Sequence, residues 1–294
     1  MHHLKEDFDS LVAETALSGG IDRRGFLKTA IGTGFAAAVM PVVAQTVVHT
    51  DTAGLTAGVV TITVDGQQVP VYRAQPEGKR KLPVILVVSE VFGVHEHIAD
   101  VARRFAKQGY LALAPELFAR QGDPRSYASI AELIDKVVSK ASDQQVLGDL
   151  DACVAWAKAN GGDTDRLGIT GFCWGGRITW LYAAHNPGVK AAVAWYGRLI
   201  GAKNGNNPQN PIDIAPTLKT PVLGLYGAKD GGISQESIVA MKAALAKGGN
   251  QSEFVVYPNS GHAFHADYRP SYVEADAKDG WKRALAWFKA HGVA

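Results

Sequence analysis

Gly171-Phe172-Cys173-Trp174-Gly175-Gly176 decides the reading of this chain. A short apolar run, Leu167 to Thr170, precedes it, and Arg177 to Ala184 reads as the helix that follows. A sharp strand–turn–helix of this kind is a nucleophile elbow, here with cysteine where serine is usual. The nucleophile sits in a strained backbone conformation, and Cβ atoms two residues to either side would clash. Gly171 and Gly175 remove them. The backbone N–H of Trp174 then lies at a helix N-terminus, placed to bind an oxyanion. The competing reading is a buried cysteine beside helix-packing glycines, but the strand and helix around the turn favour the elbow.

Outward from the elbow, strands alternate with helices. Leu82 to Val88 is a continuous, mostly β-branched apolar run, as expected for a strand covered on both faces. Tyr110 to Ala114, Val189 to Tyr196, Val222 to Tyr226 and Glu253 to Tyr257 read as further strands. Helical segments are expected at Ile98 to Gln108, Ile130 to Lys140, Gln144 to Asn160, Gln235 to Lys247 and Ala275 to His291, with Asp143 as an N-cap. Val59 to Val64 and Val69 to Ala74, joined at Asp65-Gly66, form a hairpin. The alternation predicts an α/β-hydrolase fold: a mostly parallel sheet with helices on both faces. Gly201 to Pro216, rich in Asn, Pro and Gly, is a loop after a core strand and borders the expected site.

A thiol nucleophile needs a base, and the base needs a group that fixes its tautomer. In this fold the chain order is nucleophile, acid, histidine. Asp230 follows the strand Val222 to Tyr226, and His262 follows Glu253 to Tyr257. Both sit past the carboxyl ends of parallel strands, where open α/β sheets bind ligands. Of the nine histidines, His265 lies near enough to His262 to line the same pocket. His95 and His97 suggest a metal pair, yet residues two apart do not share a helix face and no other ligand cluster supports a site, so no metal is expected. Glu90 ends the buried strand, where a carboxylate is costly unless paired. The bland alternative is a half-exposed loop glutamate. The N–H of the next residue, Val91, is the second oxyanion donor beside Trp174.

The 294 residues are 47% hydrophobic, enough for one large core, and carry a net charge of +2 without basic blocks, so no nucleic-acid partner is expected. Two cysteines exclude a disulfide framework. Asp22-Arg23-Arg24-Gly25-Phe26-Leu27-Lys28, followed by an uncharged Ala/Gly-rich stretch to Val43 and a small-residue cleavage site at Val42-Val43-Ala44, has the twin-arginine pattern. The expected organisation is a signal peptide over 1–44, a linker over 45–57 and one domain over 58–294. The export machinery is then a partner, the destination is the periplasm or outside the cell, and no stable membrane anchor is expected. A cytosolic N-terminal helix is the alternative.

Glu90-Val-Phe-Gly-Val94, Tyr110 to Phe118, Ala119-Arg-Gln121, the elbow, Tyr196-Gly197 and Gly261-His-Ala-Phe264 together resemble the dienelactone hydrolase (carboxymethylenebutenolidase) family. The leader and the run Phe264 to Tyr272 are similar to a bacterial subgroup with twin-arginine leaders. The resemblance implies Cys173 as nucleophile, His262 as base and Asp230 as its orienting acid. It implies that Glu90 helps activate the thiol once substrate displaces it from a resting partner, and that Arg120 binds a substrate carboxylate. It also implies hydrolysis of a lactone or activated ester through an acyl-enzyme, without a metal or cofactor. The family places a second arginine four residues after the histidine; here that residue is Ala266, and Arg269 is the candidate to replace it. A general carboxylesterase or thioesterase, or a non-catalytic binding relative, are the rival readings.

Overall fold

Every residue of β3 (Leu82–Val88) is buried, which requires cover on both faces of the sheet. The computed structural model describes residues 48–294; the leader expected over 1–44 lies outside them. β1 (Leu55–Val64) and β2 (Gln67–Pro76) form the hairpin, turning at Asp65 and Gly66 with φ of 50° and 77°. β4 (Leu111–Pro115), β5 (Gly162–Phe172), β6 (Val189–Trp195), β7 (Val222–Gly227) and β8 (Glu253–Tyr257) complete an eight-stranded sheet. Its order is β1-β2-β4-β3-β5-β6-β7-β8, with β1, β2 and β4 joined antiparallel and all other pairs parallel.

The chain runs outward from β3 to β4 and then returns to place β5 on the other side of β3. That reversal makes a crevice at the carboxyl ends of β3 and β5. Register aligns these ends: Val88 is opposite Gly171, and Gly171 opposite Ala194. The segments after β3, β5, β6, β7 and β8 therefore converge on one edge.

The helices are α1 (Glu96–Lys107), α2 (Ile130–Lys136), α3 (Asp143–Ala159), α4 (Trp174–His185), a short α5 (Pro211–Ile214), α6 (Gln235–Lys247) and α7 (Glu274–Ala290). Four details differ from the sequence expectation. β1 begins at Leu55, inside the expected linker, and the backbone N–H groups of Val48 and Thr50 donate to the side-chain carboxylates of Asp267 and Asp100. The helix expected over 130–140 stops at Lys136, with Val137 as its C-cap, and the chain tightens into a 3₁₀ turn, with Val137 and Val138 buried. Ser142, not Asp143, caps α3 by accepting from the Gln145 N–H, which frees Asp143 to pair with Arg177. The loop over 201–216 contains α5, started by Asn210 and Asp213 in a reciprocal capping arrangement.

Candidate active site

Cys173 sits between β5 and α4 with φ 57° and ψ −117°, a conformation that L-residues rarely adopt. Close packing imposes it. A Cβ on Gly171 would lie 2.3 Å from the Gly175 carbonyl oxygen, and one on Gly175 would lie 2.4 Å from the oxygen of Val88. The elbow is thus pressed against the end of β3. The Cys173 N–H donates to the Trp195 carbonyl at 3.0 Å, tying it also to β6. Among the described residues, the N–H groups of Val91 and Trp174 donate to no backbone carbonyl in the turns and loops. They remain available as the expected oxyanion donors.

Asp230 and His262 arrive on two turns that brace each other. Ala228 N–H donates to the Tyr257 carbonyl at 2.8 Å and Lys229 N–H to that of Ser260 at 2.9 Å. The Asp230 carboxylate accepts from the Gly232 N–H at 2.9 Å through Oδ1, and its Oδ2 lies 2.7 Å from His262 Nδ1. An Nδ1–H donated to that carboxylate leaves Nε2 as the ring nitrogen facing away from Asp230. Burial opposes charge on this ring, but the negative charges of Asp230 and Cys173 outweigh it and hold its pKa well above the usual value. Cys173, His262, Trp174 and Tyr196 line one small cavity, of about 100 Å³.

Glu90 is 2% exposed, so it is not the half-exposed loop residue of the bland reading. Tyr268 donates its phenol hydrogen to Glu90 Oε2, and Arg269 Nε donates to the same phenol oxygen at 3.1 Å. His95 Nε2 lies 3.5 Å from Oε2. Burial would raise the Glu90 pKa, yet His95 and the Arg269 charge hold the carboxyl well below the usual carboxylate range. Arg269 is fixed over the rings of Phe92 and Tyr268, at 4.8 and 5.2 Å. It stands behind Tyr268, near Glu90, and does not line the cavity. Ala266, where the family places its arginine, is fully buried.

Two expected substrate-binding residues lie elsewhere. Arg120 makes a bidentate pair with the buried Asp149 of α3, at 2.6 and 2.8 Å, and is absent from the cavity wall. His265 is in an aromatic core, stacked on Phe172 at 5.1 Å and 4.5 Å from Trp195. Burial and the nearby His97 push its pKa well down, so it stays neutral. Of the two histidines weighed as a metal pair, His95 faces Glu90, and His97 Nδ1 meets Asp267 at 2.7 Å. Among the described residues, His49, Glu96 and Asp100 have ligand-type atoms within 4.8 Å of one another. There Arg103 binds both carboxylates and Arg104 binds Asp100.

Sequence reasoning missed Tyr196, Tyr268 and Arg198. Tyr196 is buried against the His262 ring at 5.1 Å and lines the cavity. Tyr196 and Tyr268 lay within stretches that carried the resemblance, but nothing local indicated that their side chains face the site. Arg198 lines the cavity from the β6–α5 loop.

The strand order, the elbow after β5 and the acid and histidine after β7 and β8 define an α/β hydrolase. The profile of the dienelactone hydrolase family matches residues 69–292, and the chain belongs to that family. A Methylorubrum extorquens protein, provisionally named carboxymethylenebutenolidase, is 58% identical over 98% of both chains. An Escherichia coli K12 protein with the same provisional name is 55% identical over 88% of this chain and 96% of its own. A crystal structure from Klebsiella pneumoniae, provisionally titled dienelactone hydrolase, is 57% identical with a TM-score of 0.79, covering 80% of this chain and 98% of that one. The protein is accordingly a carboxylic ester hydrolase of this family.

Proposed function

We propose that this enzyme hydrolyses a small lactone or activated ester through an acyl-enzyme on Cys173. His262 Nε2 takes the thiol proton, and Sγ attacks the carbonyl carbon. The N–H groups of Trp174 and Val91 stabilise the oxyanion. As the C–O bond breaks, His262 returns the proton to the leaving oxygen, which in a lactone stays attached to the acyl chain. Water then adds to the thioester, His262 accepts its proton, and the acid and free thiol are released. Asp230 orients the ring and stabilises its charged form. Through the family resemblance, Glu90 assists thiol activation when it leaves its resting contact.

The observation that carries this reading is Cys173 at a strained elbow, in one cavity with a histidine whose far nitrogen is held by Asp230. The small cavity favours a compact acyl group. Export by the twin-arginine route, followed by release from the leader, belongs to the same proposal and rests on Arg23-Arg24 and the apolar stretch after them. Turnover of a dienelactone, para-nitrophenyl acetate and an acyl thioester tests the reading. A kcat/KM highest on the dienelactone and unaffected by EDTA supports it. Preference for the thioester favours the thioesterase alternative, and no turnover of any of them favours a binding protein.

A further inference from the structure

Four tyrosines of this chain have their hydroxyls bonded within the fold. Tyr182 donates to Asp151 at 2.9 Å, Tyr226 to the Gly197 carbonyl at 3.0 Å, Tyr257 to Asp279 at 2.9 Å, and Tyr268 to Glu90. Tyr196 differs. It is fully buried, yet its hydroxyl has no hydrogen-bond partner among the described residues. A buried, unpaired hydroxyl is costly, and phenylalanine in its place would avoid that cost.

The backbone holds Tyr196 firmly beside the nucleophile. It follows β6 with φ 37°, a conformation that few residues other than glycine adopt. Its N–H donates to the Leu225 carbonyl at 2.8 Å, and the preceding residue, Trp195, accepts from the Cys173 N–H at 3.0 Å. The next residue, Gly197, packs so closely on the elbow helix that a Cβ there would lie 2.3 Å from the carbonyl carbon of Gly176. The Tyr196 ring makes T-shaped contacts with His262 at 5.1 Å and Phe264 at 5.3 Å. Tyr196, Cys173 and His262 line the same cavity of about 100 Å³. Burial, and then the charges of Glu90, Tyr268 and Cys173, hold the phenol pKa well above its usual value, so the hydroxyl keeps its proton as a donor.

We propose that Tyr196 is a further catalytic residue, whose hydroxyl donates a hydrogen bond to the Cys173 sulfur whenever that sulfur is negatively charged. A neutral thiol is a weak acceptor, which accounts for the unpaired hydroxyl at rest. A thiolate in a site closed to water accepts strongly. The sulfur carries this charge twice in the reaction. The first time is after His262 takes the thiol proton and before Sγ attacks. The second is when the tetrahedral adduct of water and thioester collapses: the C–S bond breaks, its electron pair stays on sulfur, and the imidazolium returns a proton to it. The phenol keeps its own proton throughout. This role deepens the hydrolase reading and rests on it for the reaction, while thiol ionisation can be measured without turnover.

The test is the pH dependence of Cys173 alkylation by iodoacetamide in wild type and Tyr196→Phe, with Cys173→Ala as the blank. Cys153 does not compete, because burial pushes its thiol far up. The other charged or titratable groups around the sulfur are His262, Arg177 and Arg198 at the cavity, with Glu90, Tyr268 and Arg269 behind it, and all are the same in both proteins. The midpoint of the profile should rise by about one to two pH units in Tyr196→Phe, a fall of roughly ten- to a hundredfold in rate below the wild-type midpoint. Tm should hold or rise, since the lost hydroxyl has no partner in the fold. An unchanged midpoint overturns the proposal, and so does a rise that comes only with a lower Tm, the mark of a disturbed site. Turnover of para-nitrophenyl acetate is followed on the same samples. If wild type turns over no ester while the midpoint still moves at constant Tm, the reaction assignment fails and the thiolate contact stands. Active wild type with an unmoved midpoint removes the Tyr196 role alone.

Discussion

The phenol of Tyr268 donates to the carboxylate of Glu90, across 178 residues of sequence, and Arg269 donates to the same phenol oxygen. The family's arginine position is a buried alanine here, so a tyrosine backed by an arginine holds the glutamate instead. Tyr268→Phe removes the donor and leaves a buried carboxylate short of a partner. A loss of about 1–3 kcal/mol is expected, read as a lower Tm or a lower urea midpoint. The pH sign follows from the depressed Glu90 pKa. Its contribution is fully present above the ordinary carboxylate range and is lost as pH falls toward the folded value. His95 and Arg269 are the causes of that depression, and Tyr268 adds a hydrogen bond to the charged carboxylate, so Tyr268→Phe should narrow the stability difference between neutral and acid pH. Equal losses at both pH values would contradict this account of Glu90.

Ala266→Arg restores the family's residue type but not its geometry. The Ala266 side chain is fully buried, so the longer cationic chain overpacks the core and carries a charge into it. Destabilisation of at least about 1–3 kcal/mol is expected. A variant with wild-type Tm and faster dienelactone turnover would show that the space around Ala266 admits the longer chain.

His262→Ala should reduce kcat/KM more than Asp230→Asn, and the double variant should be little worse than His262→Ala alone, because the three groups act as a unit. The raised His262 pKa adds a pH test. Stability from its charged form is present below the ordinary histidine range and is lost as pH rises through the folded value. Asp230→Asn should lower the imidazole pKa, followed by NMR, and flatten that alkaline loss. Fully additive kinetic losses would mean that Asp230 serves another role.

Much of this was legible in sequence because its causes are local. The elbow needs glycines at fixed offsets from Cys173, and a buried parallel strand needs an unbroken apolar run such as Leu82–Val88. Asp230 and His262 could be found because topology alone puts the ends of β7 and β8 on the same edge. What failed depends on side-chain partners far apart in the chain. Arg120, which the family resemblance ties to a substrate carboxylate, pairs with Asp149 on α3. Proximity in sequence to His262 suggests that His265 lines the pocket, yet its ring lies in the core against Phe172 and Trp195. Tyr268 gave no local signal, since its role exists only once the loop after His262 lies over Glu90.

Replacing Arg23-Arg24 with two lysines should retain the protein in the cytoplasm with residues 1–44 intact, because export receptors read the arginine pair itself. Fractionation with antibody detection decides it. Wild-type protein confined to the cytosol would remove the export proposal without touching the chemistry.

The central claim is that catalysis passes through a thioester on Cys173. Intact and peptide mass spectrometry of enzyme quenched during turnover of a slow para-nitrophenyl ester tests it most directly. The account predicts one acyl adduct, on the peptide containing Cys173, no such adduct in Cys173→Ala, and no turnover by that variant. An adduct on Ser260, or wild-type turnover by Cys173→Ala, would contradict it.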